Sequence, residues 1–295
     1  MVSGKYVESA GHMGKPPPQD RFEFLLFSTC TDMVRRAVDA GVDGLVVDWE
    51  FRGKPERQRG ADTQINHDSL ADLVRIREIT TASIIVRING FNSSTAWEIE
   101  RAIHAGADEI LLPMVVSVDQ VKAAMDIVNG RAALGILVET LGAVARAAEL
   151  GRLPLRRVYL GLNDLAIQRK SRNIFEPLID GVLDQVRENF HCAFGFGGLT
   201  LPDYGRPVPC RLLMAEMARL NTSFCFLRRS FLADVAGKSV SVALADMRQA
   251  ILETRLRSHD RLAADHAQLV QAVESAIRAS DCRPQSPPAC RVPAK

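Results

Sequence analysis

Eight short apolar runs recur along this chain, each followed by a segment whose apolar residues fall at helical spacing, and that alternation constrains the fold most. The first run is Phe22 to Ser28, after which Thr31-Asp32 opens a segment that carries Met33, Val34, Ala37 and Val38 on one face. The others are Gly44 to Glu50, Ser83 to Asn89, Glu109 to Met114, Gly135 to Glu139, Arg157 to Asp164, Ala193 to Leu199 and Ser223 to Leu227. Helices are predicted over Ser69 to Ile79, Ser94 to Ala105, Val118 to Val128, Gly142 to Leu150, Pro177 to Asn189 and Pro209 to Leu220, with a long amphipathic helix from Val240. Eight consecutive strand–helix units with no switch in strand order predict an α/β fold, a closed (β/α)8 TIM barrel rather than an open doubly wound sheet. A chain of 295 residues with 47% hydrophobic content can bury that core as one domain.

The barrel is expected over residues 21–255. A flexible N-terminal arm, 1–20, precedes it and ends in Gly14-Lys15-Pro16-Pro17-Pro18. A C-terminal helical extension, 256–280, follows, and then a proline-rich disordered tail, 281–295. The extension is longer than one barrel helix requires. It either lies across a neighbouring subunit of a homo-oligomer or packs on its own barrel, and the sequence leaves those two readings level.

Lys and Arg total 37 against 35 Asp and Glu, for a formal charge of +2 with no long block of one sign, so nothing asks for nucleic acid. No apolar run approaches the roughly 18 residues of a membrane span, and the polar N-terminus is no signal-peptide core. A soluble, cytoplasmic protein is expected. Cys30, Cys192, Cys210, Cys225, Cys282 and Cys290 show no C-x-x-C spacing, which argues against a zinc knuckle or redox pair.

In a (β/α)8 barrel the reactive groups sit at the C-terminal strand ends, because layered packing fills the interior below them. Those ends here offer Asp48, Glu50, Arg87, Asn89, Met114, Glu139, Asn163, Asp164, Arg228 and Arg229. Glu139 and Asp164 are 25 residues apart, about one βα repeat. If their strands are parallel neighbours, their ends lie roughly 5 Å apart. A carboxylate closing an apolar strand is costly unless something positive meets it, and two on adjacent strands suggest a shared cation. All-oxygen ligation points to Mg2+ or Mn2+ rather than zinc. The alternative is a buried ionic network with Arg87 and Arg228, or capping of the following helices.

The ordered set Val47-Asp48-Trp49-Glu50, Val86-Arg87-Ile88-Asn89, Ile110 to Val115, Leu137-Val138-Glu139-Thr140 and Leu160 to Leu165 resembles the HpcH/HpaI aldolase and citrate lyase beta-subunit family, with its pyruvate/phosphoenolpyruvate-type barrel. The match runs in unbroken order over roughly residues 21–235. The resemblance implies Mg2+ or Mn2+ held by Glu139 and Asp164, and a 2-oxo acid or acyl thioester bound to that metal. Arg87, with Glu50 and Asp48 beside it, is the implied catalytic group that stabilises an enolate. Arg87, Asn163, Asp164 and Met114 are the implied substrate contacts, with the Asn163 and Asp164 amides suited to a carboxylate. Physically, an enolate oxyanion requires fixed positive charge where negative charge develops. A structural ion pair between Arg87 and Glu50 is the alternative.

One position departs from the family. The acidic motif of strand two is followed by a catalytic histidine in the aldolase branch and by an aspartate in the citrate lyase branch, whereas Phe51 stands here. The base is therefore sought elsewhere: a metal-bound hydroxide, or a residue of the loop Arg52 to Asn66 or just beyond, such as His67. That loop is rich in Arg and Lys and is expected over the barrel mouth, where it would attract an anionic substrate or else remain a solvated loop. Arg228-Arg229-Ser230, after the last strand, could bind a phosphate or carboxylate or could equally form salt bridges. The expected function is a metal-dependent (class II) aldolase, a carbon–carbon lyase of EC 4.1 type that cleaves or forms a 2-oxo acid through a pyruvate-type enolate. The alternatives are an acyl-CoA lyase of the citrate lyase beta-subunit or malyl-CoA type, and a non-catalytic ligand-binding barrel.

Overall fold

In the computed structural model, which describes residues 21–58 and 67–281, eight parallel strands close into a barrel in sequence order. They are β1 (Glu23–Phe27), β2 (Gly44–Asp48), β3 (Ser83–Arg87), β4 (Glu109–Leu112), β5 (Ala133–Val138), β6 (Arg157–Leu160), β7 (Ala193–Leu199) and β8 (Phe224–Leu227). Pairing of Glu23 with Phe224 through Leu26 with Leu227 joins the last strand to the first. The helices in chain order begin with α1 (Thr31–Asp39), α2 (Lys54–Arg57), which lies at the C-terminal mouth, α3 (Leu70–Ile79), α4 (Thr95–His104), α5 (Val118–Val128), α6 (Leu141–Ala145) and α7 (Ala147–Leu150). They continue with α8 (Leu162–Arg169), α9 (Val182–Arg187), α10 (Cys210–Arg219), α11 (Arg229–Asp234), α12 (Val240–Arg255) and α13 (His259–Asp281).

Strand alternation divides the barrel into two cores. One face of each strand, such as Phe24 and Leu26 or Leu45 and Val47, packs outward against the helices in the larger core. The other face fills the interior with Leu25, Phe27, Val46, Ile85, Leu111, Leu137, Tyr159, Phe224 and Phe226. The same alternation carried two residues past Val46, Ile85, Leu137 and Phe226 reaches Asp48, Arg87, Glu139 and Arg228. Those four charged side chains thereby form the uppermost inward layer, at the C-terminal mouth. The opposite end is closed by a buried ion group, Arg157 with Glu109 at 2.7 Å and with Glu23 at 2.9 Å.

Helix starts follow side-chain capping where it is available. Ser69 accepts from the Asp72 amide in a capping box, so α3 begins where predicted, and Ser117, Thr140 and Ser239 cap α5, α6 and α12. Three expectations change. Strand six ends at Leu160, and Leu162 to Arg169 is helical, so Asn163 and Asp164 lie in the first turn of α8 rather than at a strand end. The helix expected over Pro177 to Asn189 is a 3-10 turn, Glu176–Leu178, followed by α9. The helix expected over Gly142 to Leu150 is broken at Arg146 into α6 and α7.

Within the helical extension, α13 packs on its own barrel. Leu269 and Val273 are buried in the outer core, and His266 meets the buried Glu216 of α10 at 2.9 Å. The predicted arm, 1–20, and the tail beyond Asp281 lie outside the described residues, as does the part of the Arg52 to Asn66 loop from 59 to 66. No described helix is long and apolar enough to cross a membrane.

Candidate active site at the C-terminal mouth

Strand register makes the first half of the site. Asp48 and Arg87 are direct partners in the pairing of β2 with β3. Arg87 donates from Nε to Asp48 Oδ1 at 2.8 Å and from Nη2 to Oδ2 at 2.7 Å, a bidentate pair, and its Nη1 lies 3.3 Å from Glu50 Oε2. Burial raises the Asp48 carboxyl, but Arg87, with Lys54 and Arg228 behind it, outweighs burial and holds that carboxyl down to about 2. Burial alone would lower Arg87, and the two carboxylates overcome that and lock it as a cation.

Register also places Glu139. Val138 pairs with Leu160, so the next residue on each strand, Glu139 and Gly161, are neighbours. A Cβ at position 161 would lie 2.4 Å from Glu139 Oε2, so glycine leaves the carboxylate its room. Asp164 follows one helical turn later. Glu139 is 3% exposed, and its Oε1 accepts from the Met114 amide at 2.9 Å. Met114, with φ 53, therefore contributes through its backbone N–H. Burial, then Asp164, then Glu50 push the Glu139 carboxyl up to about 8.

The second half comes from the segment after β2, which reads in sequence as a charged loop. Asn89 Oδ1 accepts from the amides of Phe51 and Arg52, turning the chain, and Gly53 takes a left-handed conformation (φ 65) as the N-cap of α2, whose first turn holds Pro55. Phe51 is thereby turned out and 46% exposed, while Lys54 is 1% exposed. Lys54 Nζ lies 3.0 Å from Glu50 Oε2 and 3.6 Å from Asp48 Oδ2, and neither Nζ nor Glu50 Oε2 has a partner in hydrogen-bond geometry. Burial and then Arg87 lower the Lys54 amine below its ordinary range. Arg57 bridges two carboxylates, Nε to Asp164 Oδ1 at 2.6 Å and Nη2 to Glu50 Oε1 at 2.8 Å, and Gln58 Nε2 donates to Asp164 Oδ2 at 2.9 Å.

The predicted residues Asp48, Glu50, Arg87, Glu139 and Asp164 thus converge with Met114 at one mouth, and Asn163 sits beside them in α8. Lys54, Arg57 and Gln58 are the residues that sequence reasoning did not single out. The ionic alternative for the carboxylates is partly realised with a different cation: Asp164 pairs with Arg57, not with Arg87 or Arg228. The Arg87–Glu50 pair is also present.

Among the described residues no group of three or more His, Cys, Asp or Glu side chains is arranged to hold a metal ion. Two carboxylates with substrate and water oxygens suffice for Mg2+, however, and Glu139 and Asp164 suit such a hard cation. The upward push on Glu139 comes first from burial and then from the Asp164 and Glu50 carboxylates, both of which Arg57 pairs with. Arg57 and Gln58 each donate to one Asp164 oxygen and so compete with a cation for that carboxylate.

Three solved structures share the barrel. RipC from Yersinia pestis aligns with a TM-score of 0.52 at 12% identity, over 83% of this chain and 99% of that one. The citrate synthase SbnG aligns at 0.50 and 17%, over 78% and 94%. A ligand-free tryptophan synthase from M. tuberculosis aligns at 0.53 and 12%, over 79% and 94%. At those identities the likeness is one of fold. A search of curated proteins gives no significant match. The sequence model of the HpcH/HpaI aldolase/citrate lyase family, in contrast, matches residues 21–173, just over half of the chain and the stretch that carries Asp48, Arg87, Glu139 and Asp164. This chain belongs to the HpcH/HpaI aldolase/citrate lyase family.

Proposed function

We propose that the protein is a carbon–carbon lyase that cleaves or forms a 2-oxo acid through a pyruvate-type enolate. The observation that carries this reading is Arg87, a guanidinium fixed at the barrel mouth by Asp48 and Glu50 and set in one layer with Glu139. A cation held that rigidly costs no reorganisation when an enolate oxygen develops charge against it. Membership of an aldolase and lyase family supports the reaction class. Glu139 and Asp164 would hold Mg2+ or Mn2+, which supplies Lewis-acid charge to the substrate oxygens. The Asn163 and Asp164 amides, in the first turn of α8, face the side on which a substrate carboxylate is favoured.

Lys54 takes the proton-transfer role that Phe51 leaves empty. Its amine is buried beside Glu50 and Asp48, and burial and Arg87 lower it, the direction that favours accepting and passing on a proton from the carbon next to the carbonyl. The C–H electron pair then becomes the enolate that Arg87 stabilises.

The test is loss of the pyruvate methyl signal in D2O with Mg2+ or Mn2+, followed by proton NMR. Wild type exchanges, Arg87→Gln and Lys54→Met each lose about 100-fold or more, and chelator abolishes the metal-dependent part. Absence of exchange in wild type with either metal refutes the reading. Exchange that survives intact in Lys54→Met refutes only the assignment of the base.

A further inference from the structure

The uppermost inward layer holds the guanidinium groups of Arg87 and Arg228, and among the described residues only that of Arg87 is paired with a carboxylate. Arg228 follows β8 in extended conformation (φ −127, ψ −150), so its side chain continues the inward face of Phe224 and Phe226. Its guanidinium lies 4.7 Å from the centroid of the Phe27 ring, and that of Arg87 lies 5.1 Å from the same ring. The two guanidinium carbons are therefore separated by no more than the sum of those distances, about 10 Å.

Every other cation of the site is paired: Arg87 with Asp48 and Glu50, Lys54 with Glu50 and Asp48, and Arg57 with Glu50 and Asp164. Among the described residues no carboxylate lies within ion-pair distance of Arg228. Asp48 and Glu50 feel its charge but are engaged by the other three cations. Burial and the neighbouring Arg87 both work against its positive charge, a situation a protein holds at a cost unless an anion arrives. Its planar fork against an aromatic ring is suited to a carboxylate or phosphate.

We propose that Arg228 is a substrate-binding residue that takes a second anionic group, so that the substrate is a 2-oxo acid bearing an additional carboxylate or phosphate. The proposal rests on the lyase reading for the 2-oxo acid, whereas the anion site rests on Arg228 itself. A substrate that places its carbonyl at Arg87 and its second anion at Arg228 would span the layer above Phe27.

Titration calorimetry on the full chain compares three ligands: pyruvate, 2-oxoglutarate with a second carboxylate, and phosphonopyruvate with a phosphonate. One of the two ligands with an extra anion binds at least about tenfold more tightly than pyruvate, and which one it is distinguishes carboxylate from phosphate. That ratio falls towards one in Arg228→Gln and in Arg228→Met, whose stem keeps packing on Phe27, and is kept in part by Arg228→Lys. No advantage of either ligand in wild type overturns the proposal, as does an undiminished ratio in either uncharged variant. Methyl exchange of pyruvate in the same wild-type preparation separates the two readings. Exchange without discrimination removes the role of Arg228 alone, and discrimination without exchange removes the lyase reading and leaves the anion site standing.

Discussion

Glu139→Gln should make the protein more stable as the pH rises, against the usual expectation for replacing a site residue by a near-isostere. The Glu139 carboxyl is pushed from 4.5 up to about 8 by burial, Asp164 and Glu50. At about 1.36 kcal/mol per unit, the difference between its two protonation states amounts to roughly 5 kcal/mol as an upper bound. Below pH 4.5 both folded and unfolded chains carry the proton, and the variant and wild type are matched. Between 4.5 and about 8 the unfolded chain gives up the proton while the folded chain keeps it, so wild-type stability drains away through that window. Above it both states are ionised and the gap is constant. The variant has no such group, and its amide oxygen still accepts the Met114 N–H. Urea unfolding at steps from pH 5 to 9, with chelator present so that no bound metal rescues the wild type, reads the gap directly. We expect it to widen with pH to about 3–5 kcal/mol in favour of Glu139→Gln. A flat gap, or one that widens in favour of the wild type, would show that Glu139 is neither buried among like charges nor short of a cation.

Two further perturbations probe the same corner. Gly161→Ala places a Cβ 2.4 Å from Glu139 Oε2, and because Gly161 has an ordinary φ of −84 the damage comes from the displaced carboxylate and not from backbone strain. A loss of about 1–3 kcal/mol in urea unfolding and a drop in methyl exchange are expected, and unchanged values in both would rule out that contact. Arg57→Gln removes the guanidinium from Asp164 and Glu50, so Mn2+ affinity measured by electron paramagnetic resonance should rise at least about tenfold. Affinity equal to wild type would mean that Arg57 does not stand in the place of a cation.

The barrel was legible because each strand is a short apolar run bounded by polar residues, and a strand's inward and outward faces are both buried in such a fold. The pattern and the structure part where those bounds fade. From Leu160 to Leu165 only Asn163 and Asp164 interrupt the apolar residues, and α8 starts behind Gly161 without a Ser, Thr, Asp or Asn cap. The apolar pattern therefore runs four residues beyond the strand, which ends at Leu160, and Asp164 stands in the first turn of α8. The difference matters little to the site, because one turn of helix returns Asp164 to the side of its neighbour Glu139. Arg146 is a different case, since a break between two short helices leaves no local signal in a sequence of good helix formers.

The site divides along the same physical line. Asp48, Arg87 and Glu139 were readable because period-two alternation from apolar interior residues carries straight to them. Lys54, Arg57 and Gln58 were not, because nothing local says that a charged segment with a glycine and a proline folds inward. Its direction is set at a distance, by Asn89 Oδ1 holding the Phe51 and Arg52 amides and by carboxylates that belong to β2 and α8. On the lyase reading, the absence of a titratable residue at Phe51 and the basic segment that follows it belong to one arrangement. A left-handed Gly53 turns Phe51 outward and Lys54 inward, so the residue after the acidic motif loses its place in the site to the residue three positions later. With that lysine and Arg57 counted, each of the buried carboxylates Asp48, Glu50 and Asp164 meets a cation, and among the described residues Glu139 is left without a paired cation and Arg228 without a paired carboxylate. A metal at the first and a substrate anion at the second are the two additions that would close the electrostatics of this mouth.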